Sequence, residues 1–361
     1  MSGGLQEPPV RLGDGPLRIL FCANSSYFQH VAVAAVSLAE SNMNRRIDVH
    51  LITCEDEPVA EDKLKNSLAA YRRLVLEVHQ MLDTRLDRFF VDKHVSKEAY
   101  LRILAPEVLP SDIERIIYLD SDVVVLDDLR PLWNIELGHN VLAAVPDYPR
   151  LPPVVAPKRR AALGIPQDWT YVNSGVLLLD LARWRRERIT ERLFDYIDHH
   201  GSALEFWDQD AINAVLHDAI LVAGCRWNLQ ARMYRSGRRE FPVEFAATRE
   251  ACRRPAIIHY TGSEKPWLFR SRTARKKDYF RHLEKTAWRD AQPPLTTNMQ
   301  RIEYRVDRLL SRAGIDYLQV LYKIGRASAK LRVLAAAPIR RILAAMSALV
   351  GKAASAWETD R

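Results

Sequence analysis

The chain reads as an α/β protein built on a doubly wound sheet, followed by a basic helical extension. Strand-length and helix-length apolar patterns alternate through the first hundred residues. Chemistry-bearing residues fall where apolar runs end, the position at which such sheets keep their ligand crevice. The charge is uneven: of a net +8 over 361 residues, +7 lies from Leu295 onward, with 12 Lys/Arg against 5 Asp/Glu. The body is therefore close to neutral, which argues against a nucleic-acid-binding core. At 48% hydrophobic the chain suffices for one large or two ordinary domains.

Leu17–Ala23 reads as a strand and Tyr27–Glu40 as a helix with Val31, Ala35 and Leu38 on one face. A second strand over 48–54, a helix over 59–71 and a third strand over 74–78 continue the alternation. Residues 97–104 read as a helix ended by Pro106 and Pro110, since proline removes a donor and clashes with the preceding turn. Strand character returns at 116–125 and 141–145, with Asp147 just beyond. Pro149 to Pro166, with Lys158, Arg159 and Arg160, reads as a loop or mobile lid containing a short helix. Val176–Leu179 is expected as a short buried strand after an Asn-Ser-Gly turn, and Trp184–His199 as one charged amphipathic helix. A further helix runs to Leu216 with Asp208 as its N-cap. Residues 220–223 and 256–259 are later short strands. There is no internal repeat, no G-x-G-x-x-G and no P-loop, which weakens dehydrogenase and NTPase readings.

Ile116-Ile117-Tyr118-Leu119-Asp120-Ser121-Asp122-Val123-Val124-Val125 is the most informative phrase. Two carboxylates at the mouth of a buried strand are costly unless something neutralises them. A hard divalent cation would do so. Asp120, Asp122 and the distant His259 make an oxygen-plus-nitrogen set suited to manganese. Lys265, six residues further on, would bring positive charge toward phosphate oxygens. Cys22, Cys54, Cys225 and Cys252 show neither a C-x-x-C pair nor zinc-like spacing. A cluster of Arg270, Arg272, Arg275, Lys276 and Lys277 either meets phosphate or forms a solvated face.

Taken in order, Tyr118-Leu119-Asp120-Ser121-Asp122, Asn173-Ser174-Gly175-Val176-Leu177-Leu178, Asp208-Gln209-Asp210 and His259-Tyr260-x-Gly262-x-x-Lys265-Pro266-Trp267 form a specific set. With it the chain resembles the family 8 retaining glycosyltransferases, above all bacterial lipopolysaccharide α-galactosyl- and α-glucosyltransferases. The likeness runs from about Leu17 to Trp267 and more loosely into the tail. It implies a GT-A fold, Rossmann-like with a mixed central sheet, over residues 17–290. A disordered segment over 1–16 and a basic amphipathic tail over 295–361 would flank it.

The resemblance implies a manganese ion, with magnesium as an alternative, held by Asp120, Asp122 and His259. Gly262 and Lys265 would meet the diphosphate, with Asp120 and Ser121 beside the nucleotide. Arg102, Asn173, Asp208 and Gln209 would surround the donor sugar, Asp208 and Gln209 being the catalytic candidates. Cys22, Ala23, Asn24 and Tyr27 would line the nucleoside pocket. Family members commonly carry acids after the first strand, where this chain has Ala23-Asn24-Ser25-Ser26-Tyr27. Asn24 would accept from a uracil N3–H and Tyr27 would stack on the base. The expected activity is transfer of galactose or glucose from a UDP-sugar to lipopolysaccharide core or another surface glycan. A sugar-nucleotide pyrophosphorylase and a non-catalytic, membrane-associated carbohydrate-binding protein are the alternatives.

Arg301, Arg305, Arg308 and Arg312 form a basic stripe opposite Ile302, Val306, Leu309, Leu310 and Ala313. Ile339, Ile342, Leu343, Met346 and Leu349 repeat the pattern after Pro338. Such helices suit an anionic membrane surface, or packing on the body or on another subunit. The polar stretch from Met1 to Pro16 lacks an apolar h-region, and no run of about 18 apolar residues is present. A cytoplasmic protein, peripheral at the inner face of the cytoplasmic membrane, is expected.

Overall fold

A computed structural model describes residues 15–81, 98–147, 157–235, 245–295 and 297–312. The chain divides into two compact units, Met1–Pro266 with Thr273–Ala291, and Trp267–Arg272 with Gln292–Arg361. In the first unit the strands are β1 Leu17–Cys22, β2 Ile47–Thr53, β3 Leu74–Gln80, β4 Arg115–Leu119, β5 Val123–Val125, β6 Leu142–Pro146, β7 Val172–Asp180, β8 Ile220–Val222, β9 Leu229–Gln230 and β10 Ile257–His259. The helices are α1 Phe28–Ser41, α2 Pro58–Leu68, α3 Glu98–Val108, α4 Arg130–Trp133, α5 Pro157–Ala162, α6 Leu181–Arg186, α7 Ile189–His200, α8 Trp207–Val215, α9 Phe245–Arg253 and α10 Lys276–Leu283.

Seven strands form one sheet in the order β3-β2-β1-β4-β7-β6-β8, and β5-β10-β9 form a second. β7 runs antiparallel to both β4 and β6, while β1 is parallel to β2 and β4, so the large sheet is mixed. Its interior strands are apolar on both sides because both sides are covered. Leu17, Ile19 and Phe21 of β1 pack with Val31 and Ala35 of α1, whereas Leu20 faces the cluster containing Leu101, Trp184, Leu193 and Ile212.

The run from Ile116 to Val125 is not one strand. β4 stops at Leu119, and Asp120-Ser121-Asp122 carries the chain into β5 of the other sheet. β10 then pairs antiparallel with β5, His259 opposite Val123, and Tyr260 N donates to Asp122 O at 3.0 Å. That pairing brings an imidazole from far along the chain to the two aspartates.

Asn173-Ser174-Gly175 lies inside β7 and is not a preceding turn; β7 reaches back to Val172 across a register shift at Ala144/Val145. The expected helix over 184–199 is two helices, broken where Arg188 adopts φ 52°. Trp184 Nε1 donates to Thr190 Oγ1 at 3.0 Å across that break, and Thr190 Oγ1 donates to Ile103 O at 2.8 Å. α3 continues through Pro106 to Val108. The Arg185 guanidinium takes the carbonyls of Pro106 and Ile113, at 2.7 and 3.0 Å, and so supports a helix end that proline would otherwise weaken. Asp208 does not cap α8; the cap position is Phe206, without a side-chain bond. Asp210 instead reaches back, its Oδ2 accepting from Glu205 N at 2.9 Å and Phe206 N at 2.8 Å.

In the second unit, helix α11 spans Asn298–Arg312. Arg301 and Arg305 are exposed and Val306 is buried, so these two arginines lie on the solvent side of the helix. Arg270 pairs with Glu303 there. Arg275, in the first unit, pairs with Asp278 at 2.6 Å, so these two members of the basic cluster are already neutralised. The expected segment over 1–14, the lid residues 148–156 and the second tail helix lie outside the described residues.

Candidate active site and metal centre

Asp120, Asp122 and His259 each offer an atom to one point, all within 4.8 Å of one another. Each has its remaining polar atom fixed elsewhere. Asp120 Oδ1 accepts from Tyr118 OH at 2.6 Å and Arg102 Nη2 at 3.0 Å, leaving Oδ2 to face His259 Nε2 at 3.4 Å. Asp122 Oδ2 accepts from the Lys265 ammonium, leaving Oδ1 at 3.1 Å from the same Nε2.

The tautomer of His259 follows from a backbone donor. Gly175 N donates to Asn173 Oδ1 at 3.0 Å, which identifies that atom as oxygen. Asn228 must therefore present Nδ2 to it, at 2.7 Å, and its own Oδ1 to His259 Nδ1, at 2.9 Å. Nδ1 is the donor, which leaves Nε2, facing two carboxylates, as the atom that would ligate an ion. That arrangement is electrostatically incomplete without a cation, and a hard-oxygen plus imidazole donor set fits a divalent one.

Gly175 is dictated by space. A Cβ there would stand 2.5 Å from Asp120 Oδ2 and inside the imidazole of His259. The Asn-Ser-Gly phrase thus supplies a polar clamp, through Asn173, and a gap, through Gly175.

Around this centre the expected sugar-binding residues form one network. Arg102 is buried, donates to Ser174 O at 2.6 Å, stacks on the Tyr118 ring at 4.2 Å, and pairs with Asp120 and with Asp208 at 3.3 Å. Gln209 Oε1 accepts from Ser174 N at 3.1 Å and Asn173 Nδ2 at 3.0 Å; its Nε2 donates to Asp147 Oδ2 at 3.2 Å. A continuous chain Gln209–Asn173–Asn228–His259 therefore links a catalytic candidate to a metal-ligand candidate. Asp208 is 5% exposed, and burial raises its carboxyl to about 6 even though Arg102 opposes the rise. Burial also works against ionised Asp122, but the Lys265 ammonium opposes it, and the carboxyl is held well below the usual range.

At the end of β1, Cys22 and Ala23 are buried, and Asn24 begins a short turn in which its Oδ1 accepts from Ser26 Oγ at 2.6 Å. Tyr27 is 39% exposed. Glu55, from the end of β2, accepts from Ser25 N at 2.7 Å. The acid missing after β1 is thus brought to the same turn by the next strand. Gly262 takes φ 77° in the turn after β10, with Arg232 against it.

Asn228, Glu55 and Arg232 were absent from the sequence expectations, and Asp147 figured there only as the residue beyond a strand. Asn228 and Gln230, amides flanking Leu229 beside Trp227, were a usable signal: polar groups in an apolar run need partners.

A mixed sheet with paired carboxylates and an imidazole at strand ends defines a glycosyltransferase of GT-A fold. The chain belongs to glycosyl transferase family 8, whose model matches residues 18–271. General stress protein A of Bacillus subtilis is 29% identical over 283 residues, covering 76% of this chain and 96% of that protein. Lipopolysaccharide 1,2-glucosyltransferase of Escherichia coli K12 is 24% identical over 318 residues, covering 84% and 90%. Among solved structures, galactosyltransferase LgtC with donor and acceptor sugar analogs superposes with a TM-score of 0.66 at 23% identity, covering 79% of this chain and 99% of that one. Among the described residues, no helix is long and apolar enough to cross a membrane.

Proposed function

We propose that the chain transfers galactose or glucose, with retention, from a UDP-hexose to lipopolysaccharide core or another surface glycan. Asp120, Asp122 and His259 would hold manganese, with magnesium as a substitute. The observation that carries the reading is the convergence of Asp120 Oδ2, Asp122 Oδ1 and His259 Nε2 while every other polar atom of the three is occupied. When bound, the ion supplies Lewis-acid stabilisation of the departing nucleoside diphosphate.

The anomeric C–O bond breaks with its electron pair going to the β-phosphate oxygen. The acceptor hydroxyl oxygen bonds to the anomeric carbon on the same face, and its proton passes to the leaving phosphate. Lys265, whose ammonium pairs with Asp122, would bring a positive charge to where that phosphate charge grows. Gly262 lets the backbone approach the diphosphate closely, and Ser121 sits beside it. Asn24 and Tyr27 receive the base next to Cys22 and Ala23. Arg102, Asn173, Asp208 and Gln209 orient the sugar, with Asp208 and Gln209 supporting its developing positive charge. The family assignment favours transfer over pyrophosphorylase chemistry. Residues 17–290 form the catalytic domain in this reading, and the basic tail over 295–361 carries it to the inner membrane surface.

A donor screen with manganese, reading nucleoside diphosphate release, tests the activity. UDP-hexose turnover is expected, lost in Asp122→Ala. Calorimetric binding of UDP-hexose that is indifferent to manganese would remove the metal assignment.

A further inference from the structure

A second group of metal-binding side chains lies on the far edge of the large sheet. Parallel pairing sets His50 of β2 opposite Glu77 of β3, and His79 follows two residues on, on the same face. His50 Nδ1 stands 3.0 Å from His79 Nε2 and 3.4 Å from Glu77 Oε2, and the latter two atoms are 3.9 Å apart. We propose that His50, Glu77 and His79 form a zinc-type site that ties the edge strand β3 to β2.

The distances carry the argument. Three ligands on tetrahedral zinc with bonds of about 2.0–2.2 Å have mutual separations of about 3.3–3.5 Å. The three observed separations bracket that value. A purely hydrogen-bonded cluster would bring the carboxylate onto one imidazole N–H. Glu77 Oε2 instead lies within ion-pair range of both rings. His50 Nδ1 and His79 Nε2 are within hydrogen-bond distance of each other, so one proton lies between the two nitrogens and a bound ion would replace it. Two nitrogens and one oxygen suit zinc better than a hard all-oxygen ion. His50 is 3% exposed and rigid in the sheet, while the Glu77 side chain is 55% exposed, so an ion enters from solvent and keeps an open position for water. Among the described residues β3 is the last strand on its side of the sheet, and an edge is where a strand frays or recruits other chains, both of which a metal staple would oppose.

The test uses the full chain stripped of metal and titrated with zinc chloride, comparing wild type with His79→Gln and with Glu77→Gln, the latter at an exposed side chain. Wild type should take up one zinc equivalent more than His79→Gln and lose that equivalent in Glu77→Gln. Zinc should raise the melting temperature of wild type and leave that of His79→Gln unchanged. X-ray absorption of the added equivalent should show two imidazole ligands. Equal zinc uptake and equal thermal response in wild type and both variants would overturn the proposal. Manganese-supported sugar transfer should be the same in wild type and His79→Gln, so the outcome is separate from that of the transferase reading.

Discussion

Asn228 Oδ1 accepts a hydrogen bond from His259 Nδ1 at 2.9 Å, and that single contact selects which imidazole nitrogen faces the paired aspartates. Asn228 is itself fixed by Asn173, whose oxygen is tied to the Gly175 backbone. A partner of this kind typically changes metal affinity by about 10–100-fold. Asn228→Leu should therefore weaken manganese binding by about that factor in calorimetry, with far-ultraviolet circular dichroism unchanged. Wild-type affinity in the variant would show that the imidazole orients itself without help.

Much of this was readable in advance, and what was not has a physical reason. Apolar periods located β1, β2 and α1 because these elements are largely buried, and β3 because Leu74, Leu76 and Val78 pack, partly buried, against the same cluster. That Asp120, Asp122 and His259 would cluster was visible because carboxylates at the end of an apolar run need a counter-charge. The split of Ile116–Val125 between two sheets was hidden, since both halves are equally apolar and only pairing with β10 separates them. The break at Arg188 and the continuation of α3 past Pro106 depend on partners distant in sequence, Thr190 with Ile103 and Arg185. Asn228 and Glu55 escaped for the same reason, being defined by what they touch.

Asp208 makes a pH prediction whose sign is set by its raised pKa. With a folded value of about 6 against 3.8, the folded state binds more protons between those limits, so stability contributed by this group is greatest below about 3.8 and is lost as pH rises through 6. The ionised carboxylate costs up to about 3 kcal/mol at pH 8. Asp208→Asn should consequently raise the melting temperature relative to wild type at pH 8, with the gain shrinking by pH 4. Its sugar transfer should fall at every pH, and the acidic limb expected near pH 6 in wild type should be missing. A melting temperature below wild type at pH 8 would mean the carboxylate stabilises the fold through Arg102.

His30 titrates in the opposite sense. Burial drives its imidazole down to about 3, against the pull of Asp122, and its Nδ1 contacts Tyr279 OH at 2.7 Å. The unfolded chain takes up this proton near pH 6.5 and the folded chain does not. Stability from His30 is therefore complete above pH 6.5 and is lost as pH falls toward 3, by about 1.4 kcal/mol per pH unit. Chemical denaturation between pH 7 and 4 should show a shallower decline for His30→Gln than for wild type, by close to one proton. Parallel slopes would place the acid sensitivity elsewhere.

Gly175→Ala tests the gap between Asp120 and His259 directly. The new methyl carbon has three ways out, and each breaks something specific. Turning His259 severs its bond to Asn228; moving Asp120 severs its bonds to Tyr118 and Arg102; shifting β7 opens the ladder to β4, where Asp120 N donates to Gly175 O at 2.8 Å. Overpacking of this kind costs about 1–3 kcal/mol, small enough for the fold to persist. Gly201→Ala, where a Cβ meets nothing within 4 Å, is the matched control and should behave as wild type. Gly175→Ala should keep its circular dichroism spectrum, lose manganese binding by calorimetry and lose sugar transfer with it. Retained manganese affinity in that variant would mean the three ligand atoms do not share the space that the glycine leaves open.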